Sequence, residues 1–199
     1  MVESTDTEKL RLFAIDTKLR TEADQLLKQS GIGEILVNEG FKPSGSYIMK
    51  TMTWRDLDFE RIDANPDWEQ HWALGQKLAR TGWIWGFRCI DAYNAPDRED
   101  VGLYWGLQVT NPLGGDTWKI DLWTLRFKEL DRESPKRDLW ESKLTEDSRY
   151  KILSIKEAVW NLPNYRKSLL SVHIYEAVLE NNINNIDEFW DWWNKQYLE

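Results

Sequence analysis

Apolar residues in the first part of the chain recur at helical spacing. They predict a helix over residues 17–30, with Gly31 as its stop, and a further helical turn over residues 33–40. A loop around residues 44–46 follows, and a short helix is predicted directly after it. This part of the chain is therefore predicted to be helical up to a loop that introduces the first strand.

Residues 54–60 alternate polar and apolar side chains, which is typical of a strand with one buried face. Leu57 and Phe59 share one face of this strand. Asp56 and Asp58 share the other face, because successive side chains of a strand point in opposite directions. The two carboxylates are therefore predicted to lie side by side.

A second long helix is predicted to begin at Asn65, since Asn caps helices and a proline follows it, and to end near Gly82. Three strand-like runs come next and are predicted to form an antiparallel meander: residues 83–93, 101–110 and 118–127. Within the last run, the alternation places Lys119, Asp121 and Trp123 on one face.

The composition changes after residue 127. Residues 128–147 are charged and show no strong period, which predicts a linker or a lid, whereas residues 148–199 return to helical spacing with a break at residues 162–164. Together the patterns predict an α+β fold. Residues 1–127 would form a catalytic core with a mixed, mainly antiparallel sheet flanked by helices, and residues 148–199 a C-terminal helical region.

The composition indicates a folded, non-membrane protein. Of the 199 residues, 41% are hydrophobic and 13 are Trp, and Trp buries a large area at low entropic cost. No apolar run reaches membrane-spanning length, and the N-terminus is polar, so we expect a cytoplasmic protein. With the single Cys89 and two His, a structural zinc site is disfavoured, so any metal should be held by oxygen ligands.

The formal net charge of -8 disfavours a long nucleic-acid duplex as the main partner, because duplex binding usually needs a basic stripe. A short RNA end is still compatible with this charge. An acidic surface would also attract a cationic substrate, although most surface charge has no specific partner.

The candidate chemistry combines carboxylates with a phosphate-binding loop. Asp56 and Asp58 have the spacing that bridges hard cations, and Asp121 supplies a third carboxylate from another strand. Gly45 and Ser46 precede a short helix, where backbone N–H groups and the hydroxyl can bind terminal phosphates. The cations that would neutralise the remaining phosphate charge are Lys50, Arg55 and Lys119.

Gly45-Ser46, followed after nine residues by Asp56-Leu57-Asp58-Phe59, resembles the signature of the DNA polymerase β-like nucleotidyltransferase superfamily. Ile120-Asp121-Leu122 is similar to the third carboxylate of that superfamily, and the resemblance covers residues 31–125. The C-terminal helices are similar in kind to those of minimal and antibiotic-modifying members.

The resemblance implies two Mg²⁺ ions, with Mn²⁺ as an alternative, a nucleoside triphosphate such as ATP as donor, and release of pyrophosphate. Asp56 and Asp58 would ligate both metals. Asp121 would complete one metal site and help to deprotonate an acceptor hydroxyl, and Gly45 and Ser46 would hold the phosphates. The acceptor itself is left open.

Other enzymes use the same residue types. Glycosyltransferases bind sugar nucleotides through Asp-x-Asp, but they place a nucleotide-binding α/β unit before it, and too little chain precedes Asp56. A phosphatase with Asp56 as nucleophile would need alternating strands and helices afterwards, whereas a meander is predicted. The alternatives retained are an aminoglycoside-type antibiotic nucleotidyltransferase and a non-catalytic nucleotide-binding module of regulatory or toxin–antitoxin type.

The remaining chemistry-bearing residues are assigned to packing. His71 and His173 have no second metal-type partner at ligand spacing, and Cys89 lies in a strand-like run as a small hydrophobe. The Trp clusters at residues 83–85 and 190–193 are assigned to core packing and helix docking, because aromatic residues dominate cores.

Overall fold

The computed structural model of the protein describes residues 2–95 and 101–197, with side chains for residues 6–95, 101–127 and 136–197. These residues form an α+β fold with eight helices and one open, five-stranded mixed sheet. The helices are α1 (Val2–Ser30), α2 (Ile32–Asn38), α3 (Gly45–Ile48), α4 (Trp68–Ala79), α5 (Phe127–Lys143), α6 (Glu146–Val159), α7 (Ser171–Glu180) and α8 (Ile186–Tyr197). The strands are β1 (Lys42–Ser44), β2 (Asp56–Ile62), β3 (Ile84–Asp91), β4 (Leu103–Val109) and β5 (Trp118–Leu125).

The chain divides into two compact units. Unit 1 consists of Met1–Leu19, Lys50–Trp54 and Lys136–Glu199, and unit 2 consists of Arg20–Met49 and Arg55–Pro135. Unit 2 contains the whole sheet, and unit 1 contains the last three helices.

The sheet of unit 2 has the strand order β1-β2-β5-β4-β3. β3, β4 and β5 form the predicted antiparallel meander, and β1 pairs antiparallel with β2. β2 and β5 run parallel, so β5 lies between a parallel and an antiparallel neighbour. The sheet is therefore mixed and mainly antiparallel, as the sequence predicts.

One face of the sheet is buried and the other carries polar side chains. Leu57 and Phe59 of β2 are buried, which confirms the predicted apolar face of that strand, and Trp118, Ile120 and Leu122 form the matching buried face of β5. Helix α4 packs on this apolar face through His71 and Gly75, both against Trp105. A β-carbon on Gly75 would overlap the Trp105 ring, and this requirement explains the glycine within the helix.

In unit 1, helices α6, α7 and α8 pack together as the predicted C-terminal helical region. Their shared core includes Ile152, Ile155, Ala177 and Phe189, all fully buried. Trp193 is also buried, which confirms helix docking for one tryptophan of the C-terminal cluster. Among the described helices, none combines the length and the apolar character needed to cross a membrane.

Helix α1 begins at Val2, well before the predicted start at residue 17. The buried Asp16 explains the difference, because it puts a carboxylate where an apolar residue would continue the stripe. This carboxylate accepts a hydrogen bond from the Met52 backbone N–H at 2.9 Å and pairs with Arg149 at 3.4 Å. The carboxylate of this buried helix position is thus satisfied by contacts with residues distant in sequence.

Two further segments differ from the expected boundaries. Helix α4 is capped by Asp67, whose side chain accepts from the N–H groups of Glu69 and Gln70, so the predicted start at Asn65 is wrong. The segment 128–147 is largely occupied by α5, and its role as a linker or lid stays a prediction.

Candidate functional site

The three predicted aspartates meet on the polar face of the sheet. Asp56 and Asp58 lie on β2 and Asp121 lies on the neighbouring parallel strand β5, directly opposite Asp58. One carboxylate oxygen from each residue lies within 4.8 Å of those from the other two, and all three side chains are half-buried. The predicted convergence is therefore confirmed. A group of hard oxygen donors at this spacing fits a divalent cation such as Mg²⁺.

The strand pattern explains the convergence. Burial of Leu57 and Phe59 turns Asp56 and Asp58 to the opposite face. A shift of the pairing by one residue would move Asp121 to the apolar face, so the buried faces of both strands fix the register that aligns the carboxylates.

Lys119 lies opposite Asp56 in the same strand pair. Its ammonium group forms an ion pair with Asp121 and lies 3.4 Å from Asp56 Oδ1. Burial disfavours the charged ammonium, but the carboxylates of Asp56, Asp121 and Asp58 outweigh that effect and raise the pKa of Lys119. Lys119 therefore neutralises part of the negative charge of the cluster.

Tyr104 is a residue of the site that the sequence pattern did not single out. Its hydroxyl donates a hydrogen bond to Asp121 Oδ1 at 2.7 Å, and its ring lies against Trp123 with centroids 4.7 Å apart. Burial first, and then the charge of Asp121, raise the pKa of Tyr104 far above its usual range. The phenol is therefore neutral at physiological pH and acts as a donor that orients Asp121.

Gly106 allows Tyr104 to reach Asp121. It lies opposite Asp121 on β4, and a β-carbon at this position would overlap the Tyr104 hydroxyl. The alternation of β4 contained the signal for this contact, because Trp105 and Leu107 are buried on the apolar face. Tyr104 and Gly106 must then share the face of Asp121.

Gly45 contacts the carboxylate group from the other side. Its φ is 62°, and a β-carbon at this position would overlap the Asp58 carboxylate. Pairing of Ser44 with Asp58 across β1 and β2 produces this close approach. Ser46 follows in α3 and is half-buried. The Gly45-Ser46 segment predicted to bind phosphate is therefore adjacent to the three carboxylates.

Two of the predicted phosphate-binding cations have other surroundings. The guanidinium of Arg55 donates to Glu22 at 2.9 Å and to Asp116 at 3.2 Å. Lys50 belongs to unit 1, where its side chain is exposed and its carbonyl oxygen accepts from Arg149. Of the three predicted cations, Lys119 is thus the one that directly contacts the carboxylates. Phosphate binding by any of the three stays a prediction.

His71, His173 and Cys89 lie outside this cluster. The His71 ring is buried against Trp105, and burial lowers its pKa to about 4. The Nδ1 atom of His173 accepts from the Leu170 N–H at the start of α7, a local structural contact. Burial raises the pKa of the Cys89 thiol to about 11, which opposes a nucleophilic role.

The tryptophans at residues 83–85 are only partly covered, contrary to the packing prediction. Trp85 is 65% exposed, and Trp83 is intermediate. The reason is the position of β3 at the edge of the sheet, where a side chain has a neighbouring strand on one side only.

Comparison with protein-family models and with curated proteins finds no match for this chain. The superfamily resemblance described above therefore stays a prediction.

Proposed function

We propose that this protein is a metal-dependent nucleotidyltransferase that moves a nucleoside monophosphate from a triphosphate to an acceptor hydroxyl. The observation that carries the proposal is the convergence of Asp56, Asp58 and Asp121 on adjacent parallel strands. Further support comes from the Gly45 backbone, which closes one side of the same group. Two paired carboxylates, a third from a second strand and a neighbouring Gly-Ser are the elements that nucleotidyl transfer requires.

Asp56, Asp58 and Asp121 would hold Mg²⁺ through carboxylate oxygens. When bound, Mg²⁺ neutralises the triphosphate and lowers the pKa of an acceptor hydroxyl. Tyr104 donates a hydrogen bond to one oxygen of Asp121 and Lys119 pairs with the other, so Lys119 would have to move aside for that oxygen to act as ligand or proton acceptor. Lys119 supplies positive charge at the edge of the group.

In the reaction, the acceptor oxygen forms a bond to the α-phosphorus as the bond from that phosphorus to the bridging β-phosphate oxygen breaks. Pyrophosphate leaves, and the acceptor proton passes to Asp121 or to solvent. Gly45 and Ser46 bind the departing phosphates through backbone N–H groups and the hydroxyl. The chain's own contribution is thus alignment together with charge compensation.

Two alternatives use the same residues. An aminoglycoside-type acceptor suits the net charge of -8, because a polycation would be attracted to an acidic protein. A nucleotide-binding module without turnover would need the metal ligands but no acceptor site. The proposed enzyme differs from this module in releasing pyrophosphate.

The test is a pyrophosphate-release screen of ATP, GTP, CTP and UTP with Mg²⁺ against small-molecule, protein and RNA acceptors. It is paired with thermal melting in the presence of triphosphate, Mg²⁺ or both. We expect the combination to raise the melting temperature much more than either component alone, since the carboxylates bind the phosphates through the metal.

Asp58→Asn should remove this synergy. Glu69→Gln, which removes an exposed carboxylate from α4 on the opposite side of the sheet, should keep it. Equal shifts with and without Mg²⁺ would refute the metal site. Synergy without pyrophosphate release would favour the binding module.

A further inference from the structure

Arg88 is a cation on the carboxylate face of the sheet that the proposed chemistry does not use. It lies on β3 opposite Gly106 of β4, and Gly106 lies opposite Asp121 of β5. Directly opposed residues of antiparallel strands point to the same face. Arg88 therefore lies two strands away from Asp121, about 10 Å at the usual strand spacing.

The guanidinium of Arg88 differs from the other cations of this region. Lys119 is bound by Asp121 and Asp56, and Arg55 is bound by Glu22 and Asp116. Arg88 is exposed, and within the described ranges its guanidinium makes no hydrogen bond or ion pair. No group in those ranges thus occupies its five donor N–H groups.

Gly106 lies between Arg88 and Asp121 and is buried, because the Tyr104 phenol fills the space that a side chain would take. The Tyr104 hydroxyl occupies the space next to Gly106 and reaches Asp121. Arg88 also acts on this phenol: burial and Asp121 raise the pKa of Tyr104, whereas the charge of Arg88 lowers it. A molecule that reaches from β3 to β5 across this phenol would thus meet the guanidinium at one end and the carboxylates at the other.

The direction from which the acceptor arrives follows from in-line displacement, and this step rests on the proposed function. Gly45 and Ser46 lie at the β1 end of the sheet, where the leaving pyrophosphate would be held. The attacking oxygen must approach the α-phosphorus from the opposite side. In the strand order β1-β2-β5-β4-β3, that side is the surface over β4 and β3, where Arg88 lies.

We propose that the acceptor carries a phosphate group, which Arg88 binds while the acceptor hydroxyl lies at Asp121. Guanidinium groups bind phosphate through two parallel hydrogen bonds, which fixes orientation as well as position. Phosphate and hydroxyl would be separated by about one strand spacing or more, a distance that a phosphorylated sugar or the terminal nucleotide of a nucleic-acid strand can span.

This acceptor differs in charge from an aminoglycoside. A polycation that reaches from Asp121 to β3 would place ammonium groups against the exposed guanidinium, and like charges in contact oppose binding. Arg88 therefore selects against the acceptor that the overall net charge would attract.

The test measures pyrophosphate release with Mg²⁺ and the triphosphate that stabilises the protein most. The acceptors are ribose 5-phosphate, the dinucleotide ApA, ribose, adenosine and an aminoglycoside. We expect at least one phosphate-bearing acceptor to exceed its unphosphorylated counterpart by about tenfold in kcat/KM. Preference for ribose 5-phosphate would indicate a small sugar phosphate, and preference for ApA would indicate a strand end.

Arg88→Gln should abolish this preference through KM for the acceptor, and Arg88→Lys should retain part of it. Arg80→Gln is the matched control, because Arg80 is an exposed arginine at the end of α4 on the opposite side of the sheet. Circular dichroism checks that each variant is folded.

Equal use of phosphorylated and unphosphorylated acceptors, preference for the aminoglycoside, no response to any phosphate-bearing acceptor, or an unchanged preference in Arg88→Gln would each overturn the inference. Failure of the proposed function is distinct, because no acceptor of either kind then releases pyrophosphate, whether or not Mg²⁺ and triphosphate jointly stabilise the wild-type protein.

Discussion

The backbone of Gly45 lies so close to the carboxylate of Asp58 that the position has no room for a β-carbon. This relationship joins the Gly-Ser segment to the three carboxylates in a single structure. It also gives the glycine two separate constraints, a φ of 62° and a steric one.

Gly45→Ala should therefore destabilise the protein by more than the backbone strain alone would. Strain from a positive φ costs about 1 kcal/mol, and displacement of Asp58 adds to that cost. The matched control is Gly82→Ala, where φ is 74° and nothing lies within 4 Å of the added carbon. We expect Gly45→Ala to lose the joint stabilisation by Mg²⁺ and triphosphate and Gly82→Ala to keep it, as measured by thermal melting. Equal behaviour of the two variants would contradict the steric argument.

Asp121→Asn should separate chemistry from triphosphate binding. Asp121 would complete the metal site on the acceptor side, so its loss should reduce the single-turnover rate by about 100-fold or more. The Michaelis constant for triphosphate should change little, whereas Asp58→Asn should damage both. Calorimetric triphosphate affinity beside single-turnover rates gives the comparison. Wild-type turnover in Asp121→Asn would remove it from the proposed ligand set.

Tyr104→Phe should lower turnover by about tenfold, because it removes the hydrogen bond that orients Asp121 but keeps the ring against Trp123. The control is Tyr165→Phe in unit 1, which removes a hydrogen bond between the tyrosine hydroxyl and Ser171. Both variants should lose about 1 kcal/mol of stability in urea unfolding. Only the first should lose kcat, and unchanged kcat in Tyr104→Phe would show that its hydroxyl is merely structural.

His71 should make the free energy of unfolding depend on pH. Burial lowers its folded pKa to about 4 from an ordinary value of 6.5. Below pH 6.5 the unfolded chain therefore binds a proton that the folded protein excludes. The stability contribution is complete above pH 6.5 and is lost as the pH falls towards 4. Urea unfolding across this window should show a shallower pH dependence in His71→Gln, and an unchanged slope would argue against a buried neutral imidazole.

Local alternation predicted the parts of the site that lie within single strands. The buried Leu57 and Phe59 defined the face of Asp56 and Asp58, and the same rule placed Asp121 within β5. The meander and the C-terminal helices also followed from local periodicity. These features depend on neighbours a few residues apart, which the sequence displays directly.

Contacts between distant segments could not be predicted in this way. The pairing of Arg55 with Glu22 and the capture of the Met52 N–H by the buried Asp16 both join residues more than 30 positions apart. Likewise, local rules accept both Asn65 and Asp67 as the N-cap of α4 and could not choose between them. Packing of His71 against Trp105 accompanies the start at Asp67.

The position of β5 between β2 and β4 has a consequence for the order of assembly. β5 is the last strand to be synthesised, yet both of its neighbours depend on it for pairing in the middle of the sheet. A nascent chain that has not yet exposed β5 holds Asp56 and Asp58 without Asp121 and leaves two inner strand edges unpaired. Closure of the sheet and completion of the carboxylate group thus both await β5, whose pairing with β2 joins strands that are distant in sequence.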